Sequence, residues 1–568
     1  MKRRQFVQSI GLLSTLSPVV NGMNLPFKEL LTDDYLSIFI KANDKSVKSI
    51  LERQELDETH SFCGGYPDQF EIYHPISPAN YSPRLIAAYV SKTSDYYQSK
   101  QIKKALNIGM DFLLKVQHPS GNIDLLSTNF ESPPDTAFAT APLSQALTIL
   151  KNWSPNKLPD FQKKATQFLK KAGDAMSVGG VHTPNHRWVI CRALARLHTL
   201  FPNPKYIARI NQWLGEGIDI DPDGQYTEKS SAGYSPLVDD CLITVASLLN
   251  KPILYDPVRK NLDMMLYFVH ANGEVVTEAS NRQDKYRIDN MSRYYFAYRY
   301  MALLDKNRTY AGMVDLIENT VGVENLSGYL PYFLEQATLN SALPASGELP
   351  TNYVKHFPHS SLARIRRNSV DATILAHNTS FFTFFKGNAA LQGVRMATAF
   401  FGKGQFNSPI LKIEEGQYIL TQELIGPYYQ PHAKADIARD GDWEKMPRKY
   451  RPKSEIQHLK SEIRIREKEG QFELQFDIKG TDNVPLAIEL AFRSGGKLEG
   501  VIPVPNIEDA YLLEKDFGRY TMDGQTIEFG PGYKKHSWTQ LRGASPKLNG
   551  DSVYLTGYTP FEFTLVVK

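Results

Sequence analysis

Two short segments carry the side chains best suited to chemistry: Pro184-Asn185-His186-Arg187-Trp188, and Asp223-Gly224-Gln225-Tyr226 running on to Gly233-Tyr234-Ser235-Pro236. Each lies where a loop gives way to an apolar helical pattern, and together they offer an amide, an imidazole and two phenols. That set suits removal of a carbon-bound proton next to a carboxylate. The amide and imidazole of Asn185 and His186 hydrogen-bond the carboxylate, and drawing charge off it lowers the barrier to forming the delocalised carbanion. A phenol with an ordinary pKa near 10 needs neighbouring cations to act as the base. Tyr234 is preferred for this part, with Tyr226 as the second phenol. A basic run follows, with Arg282, Arg287 and Arg293 interleaved with Tyr286, Met291 and Tyr294. Guanidinium groups grip carboxylate or sulfate in a bidentate manner.

Each element also has a structural reading. Asn185 after Pro184 can simply cap a helix. Tyr234 lies before Ser235-Pro236, a strong helix start, where a residue often staples onto the first turn; its partner would be Asp239, which is not apolar. Charge runs are usually solvated surface. Asp135, in Ser132-Pro133-Pro134-Asp135, suits the first turn of a helix, yet at a cleft mouth it can bind sugar hydroxyls or serve as an acid. His377 and His432, in the second half, are further imidazoles able to act as a second base or to touch substrate.

These residues need a scaffold. With 568 residues, 42% hydrophobic and 22% charged, the chain is globular and too long for one core. Residues 1–22 pair a charged start containing Arg3-Arg4-Gln5-Phe6 with an apolar run too short to span a bilayer, which reads as a twin-arginine-like export signal and predicts a periplasmic or secreted protein. Net charge is +4; removing Lys2, Arg3 and Arg4 leaves +4 − 3 = +1, so an anionic partner must be held by local clusters. Cys63, Cys191 and Cys241 form neither a disulfide framework nor a zinc spacing. No metal, cofactor, nucleic-acid partner or membrane span is expected.

Residues 23–345 read as helices over Arg84–Tyr97, Ile102–Gln117, Phe161–Met176, Trp188–Leu200, Leu237–Leu249, Val258–Val269 and Tyr294–Leu304. Turns at Pro119–Asn122, Gly179–Val181, Asp223–Gly224 and Asn272–Gly273 recur at roughly fifty residues, a period of stacked helical hairpins. Their loops are expected on one face of an incomplete (α/α) toroid. After the linker Ser341–Gly347, residues 346–568 alternate over short runs (Thr379–Phe385, Tyr418–Gln422, Glu462–Glu467, Phe472–Ile478, Leu486–Phe492, Thr526–Phe529, Phe561–Val567), predicting an antiparallel β-sandwich. The fold class is therefore multidomain, α then β.

The chain resembles the polysaccharide lyases built from an (α/α) toroid followed by a β-sandwich: the heparinase II/III and alginate lyase group and, more distantly, chondroitin AC lyases. Asn185-His186 resembles the pair that neutralises the uronate in the heparinase and alginate enzymes. Asp223-Gly224-Gln225-Tyr226 leading to Tyr234 resembles the segment ending in their catalytic tyrosine, and Met291-Ser292-Arg293-Tyr294 the arginine segment of the chondroitin lyases. In heparinase-type lyases a histidine-rich segment opens the sandwich; here Ala376-His377-Asn378-Thr379-Ser380 stands in that region with one imidazole, and no zinc site carries over. The resemblance implies β-elimination on an acidic polysaccharide. Two other functions compete: an unsaturated glucuronyl hydrolase-type enzyme using Asp135 or Asp239, with paired carboxylates, and a non-catalytic glycan-binding envelope protein.

Overall fold

The computed structural model describes residues 32–568, so the export-signal segment 1–22 lies outside the described residues. Twelve helices come first: α1 (Thr32–Arg53), α2 (Ile76–Val90), α3 (Lys100–Val116), α4 (Pro133–Trp153), α5 (Pro159–Val178), α6 (Pro184–Leu200), α7 (Pro204–Gly215), α8 (Tyr234–Leu248), α9 (Tyr255–Met265), α10 (Tyr295–Asp305), α11 (Arg308–Val321) and α12 (Leu330–Glu335). Helices α4 to α7 each open on a proline, whose fixed φ suits a first turn and whose missing N–H costs nothing there. The described residues form two compact units, residues 32–266 with 280–349, and residues 267–279 with 350–568.

In the first unit α2, α4, α6, α8 and α10 pack in sequence, each also against the helix that follows it in the chain. Helices α4, α6 and α8 bury side chains on nearly every side, whereas α3, α5 and α7 bury one stripe. That contrast separates inner from outer helices in a toroid of helical hairpins. Its turns follow one local design. Gly64, Gly121 and Gly224 have φ of +90°, +93° and +104°, and a Cβ on any of them would fall within 2.1–2.3 Å of a carbonyl oxygen of α3, α5 or α9 respectively. Side-chain amides of Gln54, Gln117 and Asn261 donate to those same glycines' carbonyls. Only glycine combines such a φ with such an approach.

The structure moves some boundaries. The helix expected over Arg84–Tyr97 ends at Val90, because Asp44 accepts from Ser94 Oγ (2.6 Å) and Asp95 N (2.9 Å) and holds that stretch in a turn. The Asn272–Gly273 turn lies in the segment that belongs to the second unit.

The second unit stacks an eight-stranded on a ten-stranded sheet, antiparallel except for the pairing of Ala510–Leu512 with Asp551–Tyr558. Phe382, Phe472, Phe476, Ile488, Leu490 and Leu565 fill the space between them, as alternation along each strand requires. All seven strands expected from the sequence are present. Segment 267–279 joins this unit through a buried ionic cluster. His270 Nδ1 lies 2.7 Å from Asp371 and its Nε2 3.4 Å from Glu278, Arg364 pairs with Asp371 at 2.9 Å, and Thr373 and Thr383 donate to Glu278. Burial alone would lower the His270 pKa, but Asp371 and Glu278 outweigh it and raise it to about 9.

Candidate functional site

The site belongs to the first unit and gathers the starts of α6 and α8, the loop between α7 and α8, and the segment after residue 280. Thr183 is the N-cap of α6, placing Asn185 and His186 in its first turn rather than Asn185 at the cap. Both are buried, at 1% and 9% exposure. The Asn185 amide nitrogen donates to Glu228 Oε2 at 2.5 Å and to Thr183 Oγ1 at 3.2 Å, and its backbone N–H also donates to Glu228, at 3.2 Å. These donors fix which end of the amide is which, and leave Asn185 Oδ1 buried with no protein partner, as is His186 Nδ1.

Glu228 leads onward. Its Oε1 lies 3.6 Å from Arg282 Nε, and the Arg282 guanidinium sits 5.3 Å from the centre of the Tyr234 ring, within cation–π range. One chain of contacts, Asn185–Glu228–Arg282–Tyr234, thus joins three segments far apart in sequence. His186 belongs to the same neighbourhood: burial, then His182 and Arg282, lower its pKa to about 4. At neutral pH the ring is therefore uncharged, with one nitrogen to donate and one to accept. His182 meets it edge-on at 4.7 Å.

Tyr234 is the first residue of α8, so Ser235 and Pro236 fall inside the first turn, not at its cap. Ser230 causes this: its Oγ accepts from Tyr234 N at 3.0 Å and its carbonyl from Ser235 N at 3.0 Å. A Cβ on Gly233 would meet Ser230 Oγ at 2.5 Å, so glycine is needed just before the tyrosine. Asp284 pins this turn from below, accepting from Ser230 Oγ (3.0 Å), Ala232 N (2.9 Å) and Ser280 Oγ (2.9 Å). Arg293 donates to Ala232 O at 3.2 Å; Arg287 donates to the same oxygen at 3.4 Å and pairs with Asp289. Two of the three arginines of the basic run, Arg287 and Arg293, thus brace the Tyr234 turn. The Tyr234 ring itself is half-buried.

The remaining candidates have settings of their own. Tyr226 is 2% exposed and its hydroxyl donates to the fully buried Asp239 at 2.8 Å. Burial and then Asp239 push the phenol well above its usual range, and burial raises Asp239 as well. This hydrogen-bonded pair lies inside the core, closed off from solvent. Asp135 is buried at the start of α4 and accepts from Ser132 Oγ (2.5 Å) and Asn129 Nδ2 (2.9 Å). In the second unit His377 is exposed, with φ of +54° and its N–H bonded to Ser408 O, and His432 is buried with Nε2 3.1 Å from Met446 O. Sequence reasoning did not single out Glu228, Ser230 or Asp284. The available signals were a lone carboxylate inside a basic run and the glycine at 233. Among the described residues no group of three or more His, Cys, Asp or Glu is arranged to hold a metal ion, and no helix is long and apolar enough to cross a membrane.

Helical hairpins followed by a two-sheet sandwich are matched among solved structures by polysaccharide lyases. Heparinase III aligns over 97% of this chain and 87% of its own, with a TM-score of 0.55 at 11% identity. The Streptomyces coelicolor A3 chondroitin AC lyase, solved with chondroitin sulphate, aligns over 96% and 80%, with a TM-score of 0.51 at 14% identity. A Paenibacillus xanthan lyase reaches 0.55 at 10% identity over 95% of this chain, which spans 57% of that longer one. The chain therefore has the fold of these lyases, a helical toroid followed by a β-sandwich. No family model and no curated protein sequence matches it.

Proposed function

We propose that the protein is a polysaccharide lyase that cleaves a uronic-acid glycan by β-elimination, acting after export in the periplasm or outside the cell. The observation that carries this reading is the chain of contacts from Asn185 through Glu228 and Arg282 to Tyr234, beside two buried polar atoms, Asn185 Oδ1 and His186 Nδ1, that have no protein partner. Two such atoms in adjacent residues of one helix start support a polar ligand as their partner.

A uronate carboxyl group in this position meets an N–H of neutral His186 and the guanidinium of Arg282. These donors draw charge off the carboxylate, which then stabilises the C5 carbanion, while Asn185 Oδ1 accepts from a sugar hydroxyl. Tyr234, its ring packed against Arg282, removes the C5 proton. Its hydroxyl then returns that proton to the departing O4, leaving a C4–C5 double bond in the new non-reducing sugar. Arg287 and Arg293 hold the turn that carries Tyr234. Hydrolysis fits less well, since Asp239 is sealed in the core with Tyr226 and Asp135 is held in a cap. The test is to incubate the protein with alginate, polygalacturonate, heparan sulfate, chondroitin sulfate and ulvan and follow ultraviolet absorbance of the conjugated enoate. Growth of that band supports elimination; new reducing ends without it refute elimination in favour of hydrolysis.

A further inference from the structure

In the second unit two long strands, Gln417–Tyr429 and Lys453–Lys468, stay paired out to Tyr429↔Lys453. Their outer neighbours stop early. Strand Leu411–Glu414 reaches only residues 417–420, and Gln471–Gly480 only residues 459–468. Residues 425–429 and 453–458 therefore form a two-stranded ribbon running beyond the paired sheet, closed by the loop 430–452 with its short 3₁₀ turns. Such ribbons are marginal in water on their own, yet this one displays apolar groups. Tyr428 and Tyr450 are 59% exposed and Trp443 53%, with Ile425 and Ile456 also open to solvent.

Charge gathers at the same tip. Residues 443–453 carry Lys445, Arg448, Lys449, Arg451 and Lys453 against Glu444 alone. Lys445 pairs with Asp440 and Asp442; among the described residues the other four cations enter no ion pair. Three of them lie over aromatic rings: Arg448 5.9 Å from Tyr429, Lys449 4.7 Å from Tyr450 and Arg451 4.4 Å from Trp443. The loop is tied down by Arg451 donating to Gln430 O and by His432 against Met446 O. Lysine on an open strand edge discourages strand pairing, which accounts for Lys453 but not for cations set in the loop.

We propose that this arm is a binding surface for a chain of acidic polysaccharide. Carboxylate or sulfate groups of successive sugars pair with Arg448, Lys449, Arg451 and Lys453, while apolar sugar faces pack against Trp443, Tyr428 and Tyr450. The interspersed carboxylates of Asp436, Asp440, Asp442 and Glu444 select among polyanions. They repel the dense phosphates of a nucleic acid and an anionic lipid surface, but accept hydrogen bonds from the hydroxyls of a sparsely charged sugar chain. The choice of an acidic sugar polymer rests on the lyase reading, whereas the surface itself does not.

The test is retardation of the full chain in native gels containing alginate, polygalacturonate or chondroitin sulfate, with neutral dextran as control, in the Tyr234→Phe background so that polymer is not consumed. Replacing Arg448, Lys449, Arg451 and Lys453 by Ser is expected to weaken retention by an acidic polymer roughly tenfold, with unfolding temperature unchanged. The milder pair Lys449→Ser and Lys453→Ser gives a partial loss without touching Arg451. Replacing Lys412, Lys468, Lys479 and Lys497, exposed cations elsewhere on the same unit, is expected to leave retention intact. Equal losses from both quadruple sets would reduce the effect to net charge and overturn the proposal, as would no retention of the parent protein by any acidic polymer. Tighter retention by a single-stranded oligonucleotide or anionic vesicles at equal ionic strength would also overturn it. The gels read binding alone, so their failure leaves the elimination assay to judge the lyase reading separately.

Discussion

Asp284 is the residue whose loss most directly tests how the candidate base is held. It is 2% exposed and accepts hydrogen bonds from Ser230 Oγ, Ala232 N and Ser280 Oγ at 2.9–3.0 Å. Ser230 in turn accepts the backbone N–H of Tyr234. Asp284→Ala strands three buried donors, each costing about 1–3 kcal/mol, and the hydroxyls recover part of that by rotating, so the expected loss is about 4 kcal/mol. Asp284→Asn keeps one oxygen. Its best orientation serves Ala232 N–H and turns the amide NH₂ toward Ser230, limiting the loss to about 2 kcal/mol. A large unit shifts by about 2 °C per kcal/mol, giving unfolding temperatures lower by roughly 8 °C and 4 °C. Slackening the 230–234 turn by about 1 Å lowers kcat about a hundredfold in the Ala variant. Differential scanning calorimetry and initial elimination rates measure both quantities. An Asp284→Ala protein that unfolds within 1 °C of the parent and keeps half its kcat would refute the idea that this carboxylate builds the turn.

Further outcomes follow from the other buried groups. His186, held down chiefly by burial, is expected to titrate near pH 4 by NMR, and the protein to lose stability as pH falls from about 6.5, where the unfolded imidazole protonates, toward 4; a midpoint at or above 6.5 contradicts the burial. His270 is raised to about 9, so its contribution to the second unit is complete below about 6.5 and fades as pH rises toward 9. Chemical unfolding of the parent should show that alkaline loss, and His270→Gln should flatten it. Tyr226→Phe leaves Asp239 without its hydroxyl donor and is expected to cost about 1–3 kcal/mol of stability while kcat stays within threefold; a collapse of kcat without loss of stability would move the chemistry to Tyr226.

Much of the architecture was legible because it rests on periodicity. Seven strand runs and most helices announced themselves by spacing, and the recurring turns marked the hairpins. Helices α1, α4, α7, α11 and α12 were less visible: α4 buries nearly all its faces, leaving no polar stripe to reveal a period. Asn185, His186 and Tyr234 were legible because each stands close to a proline or glycine at a loop-to-helix transition, and Arg282 because it opens a basic run. Glu228 and Asp284 were not. A single carboxylate in a loop looks the same whether it faces solvent or braces a site, and only tertiary contact separates the two. Tyr226 shows the converse, since its position after an Asp-Gly turn says nothing of the Asp239 hydroxyl partner that draws it into the core.

The central claim concerns Tyr234, and its hydroxyl is removed cleanly by Tyr234→Phe because the ring's packing against Arg282 survives. The decisive measurement is the initial rate of enoate absorbance with a turned-over glycuronan, set beside equilibrium affinity for the same polymer. The account predicts a fall in kcat of at least about a thousandfold with affinity changed by less than about threefold. A Phe variant that forms the enoate at the parent's rate would contradict it.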